Sequence, residues 1–210
     1  MWVPTFIISL YNLSTNSALN RLKWIRRNQD KQNLSNQNIK LNFSNSLISS
    51  ISELPISSFK QIVSKKNKDK SGQKYFYWSE GSVSIGRVGD TSISSTKVVE
   101  ANSLTFGFDK FTEKKGIQGY AFRFGNDETT LGIAGSELDS ETFNITYYSS
   151  APMKYDDKLI DRIFGIGKIR SDLLTVIDGQ HFTADRNGNQ IYGSVKIKDE
   201  FKRNNLILIP

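Results

Sequence analysis

From residue 74 to residue 209 the chain alternates apolar and polar side chains with a period of two, and no other feature constrains its fold as much. Leu104, Phe106 and Phe108 oppose Ser103, Thr105, Gly107 and Asp109. Tyr120, Phe122 and Phe124 oppose Gly119, Ala121 and Arg123. Phe143, Ile145 and Tyr147 oppose Thr142, Asn144 and Thr146, and Ile191, Val195 and Ile197 oppose Tyr192, Ser194, Lys196 and Lys198. Successive side chains of a strand leave opposite faces, so each run reads as a strand with one greasy and one polar wall. Such runs are expected over 74–86, 102–111, 117–125, 142–150, 158–169, 190–198 and 206–209. The gaps between them alternate. Long polar gaps cover 87–100, 126–141 and 170–189, with turn chemistry at Val88-Gly89-Asp90 and Arg186-Asn187-Gly188; short gaps cover 112–116, 151–157 and 199–205. Long loops on one side and tight turns on the other are the layout of an up-and-down barrel in a membrane.

Composition agrees with that layout. Hydrophobic residues make up 37% of the 210, while aromatics reach 11%. Modest hydrophobicity with many aromatics suits a wall in which only every second residue must be apolar. No stretch approaches the roughly 20 apolar residues of a membrane helix. The chain has no cysteine, which excludes disulfides and thiolate metal sites. The net charge of +7 is spread between Arg21 and Arg203. A Lys- and Asn-rich solvated surface explains it better than a nucleic-acid interface, and no nucleic-acid partner is expected.

A soluble β-sandwich shows the same alternation. Three details favour a membrane. Several strands reach about 10 residues, enough for a tilted crossing. Aromatics gather toward strand ends at Tyr75, Tyr77, Trp78, Phe111 and Tyr148, as an interfacial girdle requires. The polar face carries Glu80, Asp109, Arg123, Asp161 and Lys196. A dry interior holds that many charges only by pairing each one, whereas a watery lumen accommodates them, and these five are the pore-lining candidates. In the run 158–169, Arg162 shares the apolar face and is expected near the short-turn end, by residues 155–157.

Residues 1–73 have a different character, rich in Asn, Ser, Lys and Gln, and are expected to form a polar helical or irregular linker. Ser17 reads as the cap of a helix through Ala18, Leu19, Leu22, Trp24 and Ile25, with Lys23, Arg26 and Arg27 outside it. A second helical pattern places Phe43, Leu47, Ile48, Ile51 and Leu54 on one face and ends at Pro55, whose ring removes a donor and clashes with the preceding turn. Residues 65–73 read as a flexible linker. The apolar start, Met-Trp-Val-Pro-Thr-Phe-Ile-Ile, has neither a basic n-region nor a small-residue cleavage site, which is a poor match to an export signal and leads to the expectation of a fragment.

Catalytic chemistry finds little support. His181 is the only histidine, near Asp178 and Asp185 in a polar gap, and no nucleophile elbow accompanies it. The stretch 185–189 lacks the spaced acidic ligands of a calcium loop. Gly165-Ile166-Gly167 has no following helix and reads as room for a bulky neighbour. No enzyme activity, cofactor or metal is expected.

Three stretches resemble the C-terminal translocator domain of autotransporters, the type V secretion proteins. They are Tyr77-Trp78-Ser79-Glu80-Gly81-Ser82-Val83-Ser84-Ile85-Gly86-Arg87-Val88-Gly89-Asp90-Thr91, then Gly119-Tyr120-Ala121-Phe122-Arg123-Phe124-Gly125-Asn126-Asp127, then Arg186-Asn187-Gly188-Asn189-Gln190-Ile191-Tyr192-Gly193-Ser194. Upstream, the stretch 20–28 and Phe43-Ser44-Asn45-Ser46 look like the region preceding that barrel. The resemblance implies a Gram-negative outer-membrane location and a twelve-strand barrel with a helical segment threading its pore. It also implies a passenger domain in cis, contact with outer-membrane lipid and dependence on the barrel-insertion machinery. The expected fold is therefore all-β: an antiparallel up-and-down meander of about seven strands, residues 74–210, forming an incomplete transmembrane β-barrel after the linker 1–73. Phe43, Leu47, Ile48 and Ile51 are the pore-helix candidates under this resemblance. Two further readings remain: a general outer-membrane pore or structural barrel, and a soluble β-sandwich binding module.

Overall fold

A computed structural model describes residues 3–29, 31–38, 75–89, 96–112, 116–132, 135–153, 158–199, 201–203 and 206–208. Helix α1 runs Val3–Arg27, followed by the short strand β1, Asn36–Asn38. The long strands are β2 (Tyr75–Val88), β3 (Lys97–Phe111), β4 (Ile117–Leu131), β5 (Ser136–Pro152), β6 (Lys158–Ile177) and β7 (Gln180–Asp199). Strands β1 to β7 form one sheet in chain order. All its pairings are antiparallel except β1 on β2, where Asn36 stands beside Trp78 in a parallel register. The chain is mostly β, as the alternation predicts. The sheet is an open meander: no strand of the described residues pairs β7 back to β2.

Two expectations about the sheet need correction. Two of the three long gaps, 126–141 and 170–189, are largely strand. β4 and β5 continue to Leu131 and from Ser136, and β6 and β7 are joined only by Asp178 and Gly179. Both of these have positive φ, 50° and 76°, the backbone of a tight two-residue hairpin turn. Arg186-Asn187-Gly188 is accordingly mid-strand, paired with Ser171, Arg170 and Ile169. The physical reason is that ladder hydrogen bonds continue wherever the register continues. Beyond the apolar rows both faces are polar, so hydrophobic contrast vanishes while pairing does not. The second correction concerns the run 206–209. Strand β9, Leu206–Leu208, pairs with β8, Phe201–Arg203, in a separate small sheet. The seventh strand of the main sheet is instead β1, three polar residues without alternation.

The core lies between α1 and one face of the sheet. Ala18, Leu19, Leu22 and Ile25 form a stripe along α1 at helical spacing. They pack with Leu34 and with Phe76, Trp78, Ile117, Ala121, Tyr148 and Ile163 of the strands. The helix starts well before Ser17, which is therefore internal rather than a cap. Its hydroxyl accepts a hydrogen bond from Thr105 Oγ1 on β3 at 3.1 Å.

Candidate functional site: a polar inner wall and an apolar outer wall

The face under α1 is the polar one. Thr105, Asp109, Arg123, Asn144, Thr146 and Asp161 are all buried there. Burying a charge without a partner is costly, and the helix supplies partners for two of the carboxylates. Arg21 grips Asp109 with a two-pronged contact, Nε to Oδ2 at 2.7 Å and Nη2 to Oδ1 at 3.0 Å. The Tyr148 hydroxyl donates to Asp109 Oδ2 at 2.8 Å and accepts from Trp78 Nε1 at 2.7 Å. Arg21 Nη1 also donates to Asn36 Oδ1 at 2.6 Å. One hydrogen-bonded chain thus ties α1, β1, β2, β3 and β5 together. Further along the helix, Arg26 Nη1 meets Asp161 Oδ1 at 2.9 Å, and Lys198 Nζ meets Asp161 Oδ2 at 2.9 Å. Asn20 Nδ2 donates to Glu80 Oε1 at 2.9 Å.

Two inner-face glycines make room for rings. Gly107 is the register partner of Trp78 and Gly165 that of Tyr192. A Cβ at either position would run into the facing ring. Space for a bulky neighbour is what the Gly165-Ile166-Gly167 sequence leads one to expect. Tyr192 spends its hydroxyl on Thr146 Oγ1 at 2.6 Å.

Each pore-lining candidate has a definite position. Glu80, Asp109 and Asp161 face α1 and hydrogen-bond to it. Arg123 is buried farther along the same face, donating from Nη1 to Thr142 Oγ1 at 3.1 Å. Its Nε and Nη2, and both oxygens of Asp127, have no hydrogen-bond partner among the described residues. Buried polar atoms of this kind are ordinarily satisfied by protein groups or by ordered water. Lys196 is exposed, beside Asp161 in register. The pore-helix candidates Phe43, Leu47, Ile48 and Ile51 lie outside the described residues. Among those residues, α1 is the helix that covers the polar face. His181 is exposed next to the β6–β7 turn, opposite Val176.

The outer face is the reverse. Tyr120, Ile145, Phe164 and Ile166 are open to the surroundings, and Ile191 and Val195 are 77% and 67% exposed. Register aligns these residues in rows across the strands. The first is aromatic: Tyr77, Phe108, Tyr120, Tyr147 and Phe164. Within it Phe108 and Tyr120 lie 5.8 Å apart between ring centroids, and Tyr120 and Tyr147 5.4 Å apart. The second row is Phe106, Phe122, Ile145, Ile166 and Ile191. The third is Leu104, Phe124, Phe143, Lys168 and Asn189. Toward β2 the outer face is itself buried, at Tyr77, Leu104 and Phe106. The girdle expected from sequence is thus differently composed. Trp78 and Tyr148 face inward and are buried, because each sits one residue from its outward neighbour Tyr77 or Tyr147 and a period of two reverses the face.

Charged residues bound the apolar rows along β6. Arg162 stands one step beyond the aromatic row, opposite Ser149 and Val195, and Arg170 one step beyond Lys168. Lys168 is the first charge at that end, six residues from Arg162 (168 − 162), about 20 Å along a strand and about 15 Å of depth at a tilt of about 40°. Past Arg170 comes a row of carboxylates: Glu100, Glu128, Asp139, Asp172 and Asp185, all exposed. Comparison with protein families, with curated proteins and with solved structures finds no match for this chain.

Sequence reasoning missed Arg21, Asn36, Trp78 and Tyr148 as members of the inner network. The alternation offered one signal for the last two, since their parity matches Asp109 in register. Nothing in the sequence marked Asn36.

Proposed function

We propose that this chain is the outer-membrane anchor and translocator portion of an autotransporter, holding and passing a passenger domain at the cell surface. The observation that carries this reading is the inversion of its two walls. The sheet buries Thr105, Asp109 and Asp161 beneath a helix, and Arg123 farther along the same face, and leaves Ile145, Phe164, Ile166 and Ile191 exposed. A water-soluble sheet buries its apolar face; a sheet facing lipid presents it. On β6 the uncharged stretch between Arg162 and Lys168 spans about 15 Å of depth, and the long stems of Arg162, Lys168 and Arg170 let their charged heads reach toward the interfaces of a roughly 25 Å apolar band.

In this reading the sheet is part of a barrel. The edges left open at β7 and at β1, with the part of β2 that β1 does not cover, are paired in the membrane, because unpaired backbone groups in hydrocarbon cost several kcal/mol each. Asp109, Asp161, Arg123, Glu80 and Lys196 then line the lumen side, with α1 inside it. That occupancy favours a translocator over a general outer-membrane pore, whose channel is kept open. Lipid is a direct partner, the passenger is a partner in cis, and insertion uses the cell's barrel-insertion machinery. The reaction is transport, with no enzymatic step. Carbonate and urea washing of membranes from cells exporting the chain tests the reading. Retention in the pellet is expected. Release into the soluble fraction would leave the β-sandwich binding module as the better account.

A further inference from the structure

The two polar borders of the apolar band differ in kind. One step beyond the aromatic row, toward the β3–β4 and β5–β6 turns, register sets Tyr75, Lys110, Gln118, Ser149 and Arg162 side by side on the outer face. Arg162 is exposed, Tyr75, Lys110 and Gln118 are half-buried, and Ser149 is buried. Every one of these side chains can donate a hydrogen bond, and the row ends on β7 at Val195 without a carboxylate. Lys110 Nζ lies 5.6 Å from the Tyr75 ring centroid, which holds its charge beside the row. Asp199, the next acidic residue on this face of β7, is four positions farther along (199 − 195), about 13 Å, in register with Lys158. The far border is the reverse, a row of carboxylates from Glu100 to Asp185.

We propose that the donor row seats the phosphates of an anionic glycerophospholipid, phosphatidylglycerol, in the periplasmic leaflet. The short strand projections mark that side: β6 runs four residues past Arg162 to Lys158 (162 − 158) but nine past Lys168 to Ile177 (177 − 168). In an outer-membrane barrel the shorter ends face the periplasm. A phosphate diester carries acceptors and a negative charge, so it is the complement of donors that include two cations. Lys110 and Arg162 stand three strand spacings apart, about 14 Å, so each holds the phosphate of its own lipid, with Gln118 beside the first. A glycerol headgroup adds no charge of its own and leaves the phosphate to these cations. Phosphatidylethanolamine brings an ammonium that Lys110 and Arg162 repel and for which the row has no carboxylate. Diacylglycerol brings no phosphate. The proposal rests on the membrane reading above and goes beyond it in naming the headgroup and the leaflet.

The absence of cysteine permits a clean test. A bimane label on Phe164→Cys, in the aromatic row two residues from Arg162, is followed with the full chain in phosphatidylcholine vesicles. The vesicles carry equal mole fractions of phosphatidylglycerol, phosphatidylethanolamine or diacylglycerol, brominated on the acyl chain. Phosphatidylglycerol is expected to be enriched about fivefold at the label over either alternative, the worth of one cation near an anionic surface. Lys110→Gln with Arg162→Gln should remove the preference, and the charge-conserving pair Lys110→Arg with Arg162→Lys should keep it. Asp139→Asn with Asp172→Asn, at the far border, should leave it unchanged. Equal quenching by all three lipids in the parent chain, a preference that survives the glutamine pair, or one lost equally with the far-border pair overturns the headgroup site while leaving the membrane reading standing. No quenching by any brominated lipid overturns both.

Discussion

Beneath α1 the sheet buries Asp109, Asp161 and Thr105, while its opposite face leaves Ile145, Ile166 and Ile191 in the open. Both faces belong to the same strands and share one register. What separates them is the cover: a helix that brings its own arginines on one side, and nothing of matching polarity among the described residues on the other. The lesson is that polar burial here is organised, not tolerated. Asp109 receives three hydrogen bonds from two side chains, and Asp161 is held from both α1 and β7.

The strongest way to break the comparison is Arg21→Met. It leaves Asp109 buried and short of its charge partner, and about 3–5 kcal/mol of stability should be lost in urea titrations. A double change with Asp109→Leu should recover much of it, since an apolar pair of similar volume needs no partner. Next comes Ile166→Arg on the outer face. In vesicles it should cost about 2–4 kcal/mol if the middle row lies in hydrocarbon. A cost within about 0.5 kcal/mol would mean that this face meets water. Gly107→Val should cost about 1–3 kcal/mol by pushing into Trp78, with altered tryptophan fluorescence as its signature. The smallest expected effect is Ser171→Ala, which removes the 2.9 Å contact with Ser140 on the inner wall. About 0.5–1.5 kcal/mol is expected, read from the urea midpoint.

How much of this could be read from sequence depended on contrast between neighbouring residues. Where Phe122 alternates with Arg123, or Ile145 with Asn144, the strand and its two faces are plain. Where Ser140 alternates with Glu141, or Ser171 with Asp172, both walls are polar. The hairpins β4–β5 and β6–β7 therefore read as loops, although they are paired to within a few residues of their tips. β1 has no contrast at all: it is fixed by Arg21 and by the Ser35 hydroxyl accepting from Tyr77 N at 3.0 Å, both long-range contacts. The helix stripe of Ala18, Leu19, Leu22 and Ile25 was legible, but its destination was not. Arg26 looked like a solvent-facing cation, and only the fold brings Asp161 to it, 135 residues away in sequence.

That last separation has a consequence for the order of assembly. Each long strand pairs with the next one along the chain, so the meander can grow hairpin by hairpin as the polypeptide emerges. The helix is made first, yet its ion-pair acceptors appear in β3 and β6. Until those strands arrive, Arg21 and Arg26 have no carboxylate to hold, and the apolar stripe beside them has no floor. The ion pairs of the helix therefore depend on strands made later, Arg21 on β3 and Arg26 on β6.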